Sequence, residues 1–235
     1  PTSVAVVGSY VLVVVDTSAS FTEPSGRLDV VRLSDSKRVA SIPLDGQPDS
    51  IDVSADEKYA AIAMENQRDE EFAPSGKAKG DLPQLPAGFV QVVDLQGAPT
   101  GWEADRIDLV NPDGTALQSF VDAKIVEPTD PEPEYVSING KNQLALTLQE
   151  NNGIVVIDLA TRAIEKVFSA GSVTATGFDT KKDGKISLTD SLTDVVREPD
   201  AIGWVDDTHV ATANEGDWKG GTRGWSVFST VDGSV

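Results

Sequence analysis

The stretch Glu198-Pro199-Asp200-Ala201-Ile202, followed by Asn214-Glu215-Gly216-Asp217, decides how this chain is read. The same phrase is written twice upstream. Gln47-Pro48-Asp49-Ser50-Ile51 runs to Glu65-Asn66, and Glu132-Pro133-Glu134-Tyr135-Val136 runs to Glu150-Asn151. From proline to glutamate the spacing is 17, 17 and 16 residues. A degenerate copy opens the chain, Pro1-Thr2-Ser3-Val4 leading to Asp16-Thr17. Self-similarity on this scale outranks local propensity, because each repeat is one structural unit that buries its core against its neighbours.

Within each repeat, short Val- and Ile-rich segments alternate with Gly, Asp, Asn and Ser turns, the pattern of strands and not of helices. Strands are predicted at 3–7, 10–15, 27–33 and 38–43; at 50–53, 59–64, 88–95 and 105–110; at 135–138, 143–148, 153–159 and 163–168; and at 201–205, 209–213 and 224–228. No amphipathic helix is predicted. Four antiparallel strands per unit, repeated, predict an all-β fold, a β-propeller with three complete blades and a partial fourth. The chain is read as one propeller, residues 1–235, with blades at about 1–46, 47–131, 132–197 and 198–235. The fourth unit lacks an outer strand and Pro1 opens inside a repeat. An incomplete larger ring and a trimmed N-terminus are therefore expected.

The insertions fall in two kinds of connection. Loops between second and third strands range from Asn151-Asn152 to the Pro/Gly/Lys-rich 67–87, and the interblade connections 111–132 and 170–197 are long. In an up-and-down blade both kinds lie at the same end. Asp49, Glu134 and Asp200, which start first strands, should then crowd one face with Glu65, Glu150 and Glu215, which end second strands. The expectation is a ring of carboxylates at one mouth of the channel.

With 19 basic and 38 acidic residues the net charge is −19. That balance repels nucleic acid and anionic membranes and suits cations, calcium above all. The absence of cysteine excludes disulfides and thiol chemistry, and the longest apolar run, around 10–15, is too short for membrane insertion. A single histidine, His209, excludes zinc sites built from several histidines. It follows the Asp206-Asp207 turn, on the face opposite the acids, which removes it from any triad among the variable loops.

Residues 179–190, Asp-Thr-Lys-Lys-Asp-Gly-Lys-Ile-Ser-Leu-Thr-Asp, match a twelve-residue calcium loop at most key positions. Asp179, Asp183, the Lys185 carbonyl, Ser187 and Asp190 are the expected metal ligands, and Gly184 permits the turn. Aspartate at the last position resembles a dockerin-type loop, whereas Lys181 departs from the pattern where a ligand is normal. A solvated acidic turn is the competing reading. For the repeated acids, structural stitching of strand ends competes with a cation site. In the Trp218–Arg223 loop, Lys219 and Arg223 are candidates to bind phosphate or carboxylate, against a solvated loop.

The segments Gln47-Pro48-Asp49-Ser50-Ile51, Thr147-Leu148-Gln149-Glu150-Asn151-Asn152, Arg197-Glu198-Pro199-Asp200-Ala201 and Thr212-Ala213-Asn214-Glu215-Gly216-Asp217 resemble the bacterial choice-of-anchor I family. These are secreted or surface propellers described as alkaline-phosphatase-like and similar to phytase-esterase-like propellers. The resemblance implies an extracellular or cell-surface setting and continuation beyond the fourth repeat, with the rest of the propeller or another chain completing the ring. It also implies phosphoester hydrolysis, in which acids at the mouth hold calcium that binds the phosphate and activates water. By that analogy Glu65, Glu150, Asp200 and Glu215 are the catalytic candidates. Two readings stand: a metal-dependent phosphoesterase acting on a small phosphoester, and a non-catalytic calcium-stabilised module that binds a surface ligand.

Overall fold

In the computed structural model, which describes residues 1–235, the alternating segments pair into antiparallel sheets stacked as propeller blades. The first sheet is β1 (Ser3–Val7), β2 (Tyr10–Asp16), β3 (Gly26–Arg32) and β4 (Lys37–Leu44), paired in sequence order. The second is β5 (Pro48–Val53), β6 (Tyr59–Met64), β7 (Phe89–Asp94) and β8 (Ala104–Asp108). A five-residue helix α1 (Gln118–Asp122) then precedes the third sheet, β9 (Pro133–Ile138), β10 (Gln143–Leu148), β11 (Gly153–Asp158) and β12 (Ala163–Ser169). A separate hairpin, β13 (Ser172–Phe178) and β14 (Asp190–Val196), leads to a three-stranded sheet of β15 (Pro199–Asp206), β16 (His209–Asn214) and β17 (Gly224–Ser229).

Two of these elements depart from the sequence expectation. Helix α1 is too short to show a helical period, and it is held by burying Phe120 between the second and third sheets. The 170–197 connection, read as a loop, is largely the β13–β14 hairpin, whose strands are exposed or half-buried throughout.

Burial explains the strand composition. A blade in the middle of the arc is covered on both faces, so its inner strands carry apolar side chains at successive positions rather than at alternate ones. In β6, Ala60, Ile62 and Met64 pack on the first blade while Ala61 and Ala63 pack on the third. In β10, Leu144, Leu146 and Leu148 face the second blade and Ala145 faces the fourth.

The innermost strands β1, β5, β9 and β15 lie side by side without pairing, and hydroxyls bridge them. Ser50 Oγ donates to the Glu134 carbonyl (2.6 Å) and accepts from the Val136 amide (3.1 Å). Thr147 Oγ1 donates to the Asp200 carbonyl (2.5 Å) and accepts from the Tyr135 amide (3.0 Å). Asp52 Oδ2 accepts from the Ile138 amide at 2.8 Å. The residues captured, Glu134 and Asp200, are those whose side chains the repeat sends to the mouth.

Candidate carboxylate centre

Each inner strand begins at the proline of the repeat, and each second strand ends beside it. The Glu65 amide donates to the Gln47 carbonyl (2.9 Å) and the Glu215 amide to the Glu198 carbonyl (3.1 Å). The two ends of the repeated phrase therefore meet at one face. Gly88 keeps that junction tight: a Cβ there would lie 2.7 Å from the Glu65 carbonyl oxygen and 2.3 Å from Pro133 Cδ, so only glycine fits.

Asp49, Glu65 and Glu134 form a group whose carboxylate oxygens lie within 4.8 Å of one another, spanning the second and third blades. Burial, with the charges of Asp49 and Glu150, pushes the Glu65 carboxyl up to about 8. Burial, with Asp200 across the mouth, pushes Asp49 up to about 6. Glu134 is raised by burial and by Glu65, Glu150 and Asp49. Asp200 is raised by burial and by Glu215.

Behind this group, the Arg68 guanidinium is buried among further acids. Its Nη1 donates to Glu150 Oε1 (2.5 Å) and lies 3.6 Å from Glu132 Oε2, and its Nη2 donates to Asp217 Oδ2 (3.1 Å). Burial raises Glu150 although Arg68 pulls it down, and burial together with Glu150 and Asp130 raises Glu132. One guanidinium does not satisfy the set. Glu132, 1% exposed, has no hydrogen-bond partner on either oxygen, and Glu150 Oε2, buried in a residue 4% exposed, has none. The Asp49, Glu65 and Glu134 group offers oxygen donors with no imidazole or thiolate, the ligand type that hard cations such as calcium and magnesium prefer.

Of the residues the sequence singled out, Glu65 lies in the centre, Glu150 stands behind it on Arg68, and Asp200 faces Asp49. Glu215 is exposed and meets Gln149 Nε2 only at 3.5 Å. Lys219 is not free for an anion: its Nζ pairs with Asp81 Oδ1 (2.5 Å) and sits 4.4 Å from the Trp218 ring centroid. Arg223 lines a separate cleft with Arg197 and Trp225. The 179–190 segment is the exposed tip of the β13–β14 hairpin, outside the carboxylate centre. Asp179 accepts from the Lys181 and Ser187 amides, Asp183 from the Lys185 amide, and Asp190 from Thr180 Oγ1, with Lys181 Nζ 3.4 Å away. His209, as expected, sits at the β15–β16 turn with its Nδ1 3.0 Å from Asp206.

Three residues escaped the sequence reading. Arg68 lies in the variable 67–87 loop, where its place directly after Glu65-Asn66-Gln67 was the available signal. Glu132 and Glu198 occupy the position before the repeat's proline. Glu198 is buried and accepts from the Trp218 (2.9 Å) and Lys219 (2.6 Å) amides, which fixes the 216–220 loop.

A family model for the choice-of-anchor I domain matches residues 1–232. No curated protein matches the chain. Among solved structures, Kuenenia stuttgartiensis hydrazine synthase superposes with a TM-score of 0.57 at 12% identity, covering 97% of this chain and 57% of that one. The WD40 repeats of RRP9 give 0.51 at 12% identity, covering 100% and 52%. U3-55K gives 0.51 at 11% identity, covering 97% and 51%. This chain thus spans little more than half of each, and at these identities the likeness is one of fold.

Proposed function

We propose that this chain, which belongs to the choice-of-anchor I domain family, is a calcium-binding propeller of the extracellular cell surface. Its ion is held at the mouth by Asp49, Glu65 and Glu134. The observation that carries this reading is the approach of three carboxylates within 4.8 Å, backed by buried acids whose oxygens have no partner. Like charges held so close demand either protons or a cation, and at neutral pH a divalent ion is the more economical solution. Because Asp49 and Glu65 come from one blade and Glu134 from the next, the ion fastens two blades together. The family gives the surface setting; no helix of the chain is long and apolar enough to cross a membrane.

Phosphoester hydrolysis is the second reading. It is favoured by the partial exposure of all three acids, which leaves a bound ion open to water and to a phosphoryl oxygen. A bound ion supplies Lewis acidity and lowers the pKa of its water. With an ion held there, Asp200, which feels Asp49 across the mouth, and Glu215, whose charge acts on Asp200, would be the carboxylates available to accept a proton. The neutralisation of Lys219 by Asp81 and of Arg68 by Glu150 weighs against an anion clamp. The hairpin tip at 179–190 is a further, weaker calcium position, burdened by Lys181.

The test is calorimetric titration of the chelator-stripped chain with calcium, alongside phosphomonoester and phosphodiester assays. Saturable binding that Glu65→Gln with Asp49→Asn weakens at least about tenfold is expected. Binding that survives this pair but not Asp179→Asn would move the site to the hairpin. Calcium binding without turnover would leave the surface-module reading and sink the enzymatic one.

A further inference from the structure

On the same face, the β2–β3 loop (17–25) and the β6–β7 loop (65–88) enclose a cleft of about 480 Å³. Its walls carry Phe21, Phe72 and Leu85, which are 46%, 53% and 63% exposed. These three side chains, from two neighbouring loops, give one cleft an apolar lining open to solvent. The volume falls within the range of small-ligand sites.

The polar part of the lining limits the chemistry of what covers it. Asp69 is the only ionisable side chain there, and no lysine or arginine contributes, so a phosphate, sulfate or carboxylate would meet repulsion alone. Gln84 is already committed: its Oε1 accepts from the Asp69 amide (2.9 Å) and its Nε2 donates to the Asp69 and Asp81 carbonyls. It forms a rigid floor. Asp69 spends Oδ1 on the Glu71 amide (2.9 Å) and keeps the other oxygen free, while the Gln67 backbone is pinned by Gln47 Oε1 (3.0 Å) with its own side-chain amide unbonded. The intervening Arg68 is locked in the carboxylate centre, so this part of the wall is set before any ligand arrives.

We propose that this cleft binds a neutral saccharide. The apolar C–H faces of a sugar ring would lie on Phe21 and Phe72 while its hydroxyls donate to the free Asp69 oxygen and exchange hydrogen bonds with the Gln67 amide. An exposed aromatic surface beside a free carboxylate and a free amide suits that mixed chemistry, which an apolar peptide or an anion would leave half unsatisfied. The site shares no residue with the calcium centre and stands or falls independently of it.

Saturation-transfer NMR and calorimetry with cellobiose, maltose and N-acetylchitobiose, on the whole chain with calcium and again with chelator, provide the test. At least one sugar is expected to bind at millimolar strength or better. The exposed-ring pair Phe21→Ala/Phe72→Ala should weaken it about tenfold or more with the melting temperature kept. Asp69→Asn, which preserves the contact to Glu71, should weaken it separately and covers the case in which the double variant misfolds. No transfer to any of the three sugars, in either condition, overturns the proposal whatever the calcium titration shows. So does binding that the phenylalanine pair leaves intact. Self-association that those substitutions abolish, without sugar binding, would assign the cleft to a second copy and also overturn it.

Discussion

Glu150 and Asn151 are neighbours in the chain, yet the structure gives them different tasks. The asparagine stitches. Asn151 Oδ1 accepts from the Glu132 amide (2.9 Å) and its Nδ2 donates to the Asp130 and Val126 carbonyls (2.9 and 2.8 Å). Asn66 does the same for Gln47 and Ala87. Asn151→Ala strands these buried groups and should cost roughly 1–3 kcal/mol in urea unfolding; a loss below a few tenths would show that water replaces the stitch. The glutamate and its acidic neighbours carry charge instead. With Glu65 at about 8 and Asp49 at about 6 in the folded chain, both above ordinary carboxylate values, the cation-free fold holds protons that the unfolded chain has released. Its stability should therefore fall as pH rises from about 5 to about 8. Calcium needs the charged forms, so its affinity should climb over the same interval and the melting temperature should recover. Thermal melts with chelator and with calcium check both slopes. A cation-free stability that rises with pH in this window would refute the assignment, and Glu65→Gln should flatten the decline.

Among the elements, the β6–β7 loop brings Glu65 to the centre and Arg68 behind it, and it was the least legible. Strands could be read because apolar runs such as Tyr59–Met64 have no other stable placement. The common face of the acids followed from strand direction alone. Nothing periodic in 67–87 says that Arg68 turns inward to Glu150 while Lys79 turns outward to Glu71. The β13–β14 hairpin was missed for a related reason: exposed on both faces, it carries little of the hydrophobic contrast by which strands are recognised. For Arg68 the structure makes a sharp prediction. Arg68→Met leaves Glu150 and Glu132 buried without their counter-charge, a loss of about 3–5 kcal/mol for a broken buried pair. Arg68→Lys should recover part of it. The stabilisation on adding calcium should be larger in Arg68→Met than in the parent, since the ion then supplies the missing positive charge. Equal calcium shifts in the two proteins would show that Arg68 and the ion act on separate networks.

Across the molecule, the core is a row of separate interfaces. The first two blades share a cluster of 15 buried apolar residues and the second and third share another 15, but the third and fourth share only 6. In a stacked array stability is close to a sum over such interfaces, so it should be graded along the chain. The carboxylate centre sits at one of the two larger interfaces, between the second and third blades, while Glu198, Asp217 and the 216–220 loop belong to the weaker fourth unit. The outer faces of the row carry exposed Val4 and Val6 at one end and Trp225 at the other, 60%, 60% and 78% exposed, and we propose that they are the surfaces a ring-completing segment would cover. Native-state hydrogen exchange on residues 1–235 should then rank β6, β7, β10 and β11 as most protected, with β16 and β17 opening first among the blade strands. Calcium should slow exchange in β5 and β9, the strands that carry Asp49 and Glu134, far more than in β17. Leu146→Ala, at the second interface, should lower protection in both flanking blades by about 2–5 kcal/mol. Val210→Ala, at the third, should loosen the fourth blade alone. If Val210→Ala lowered protection equally in all four blades, the arc would be one cooperative unit, and the weak third interface would have no thermodynamic meaning.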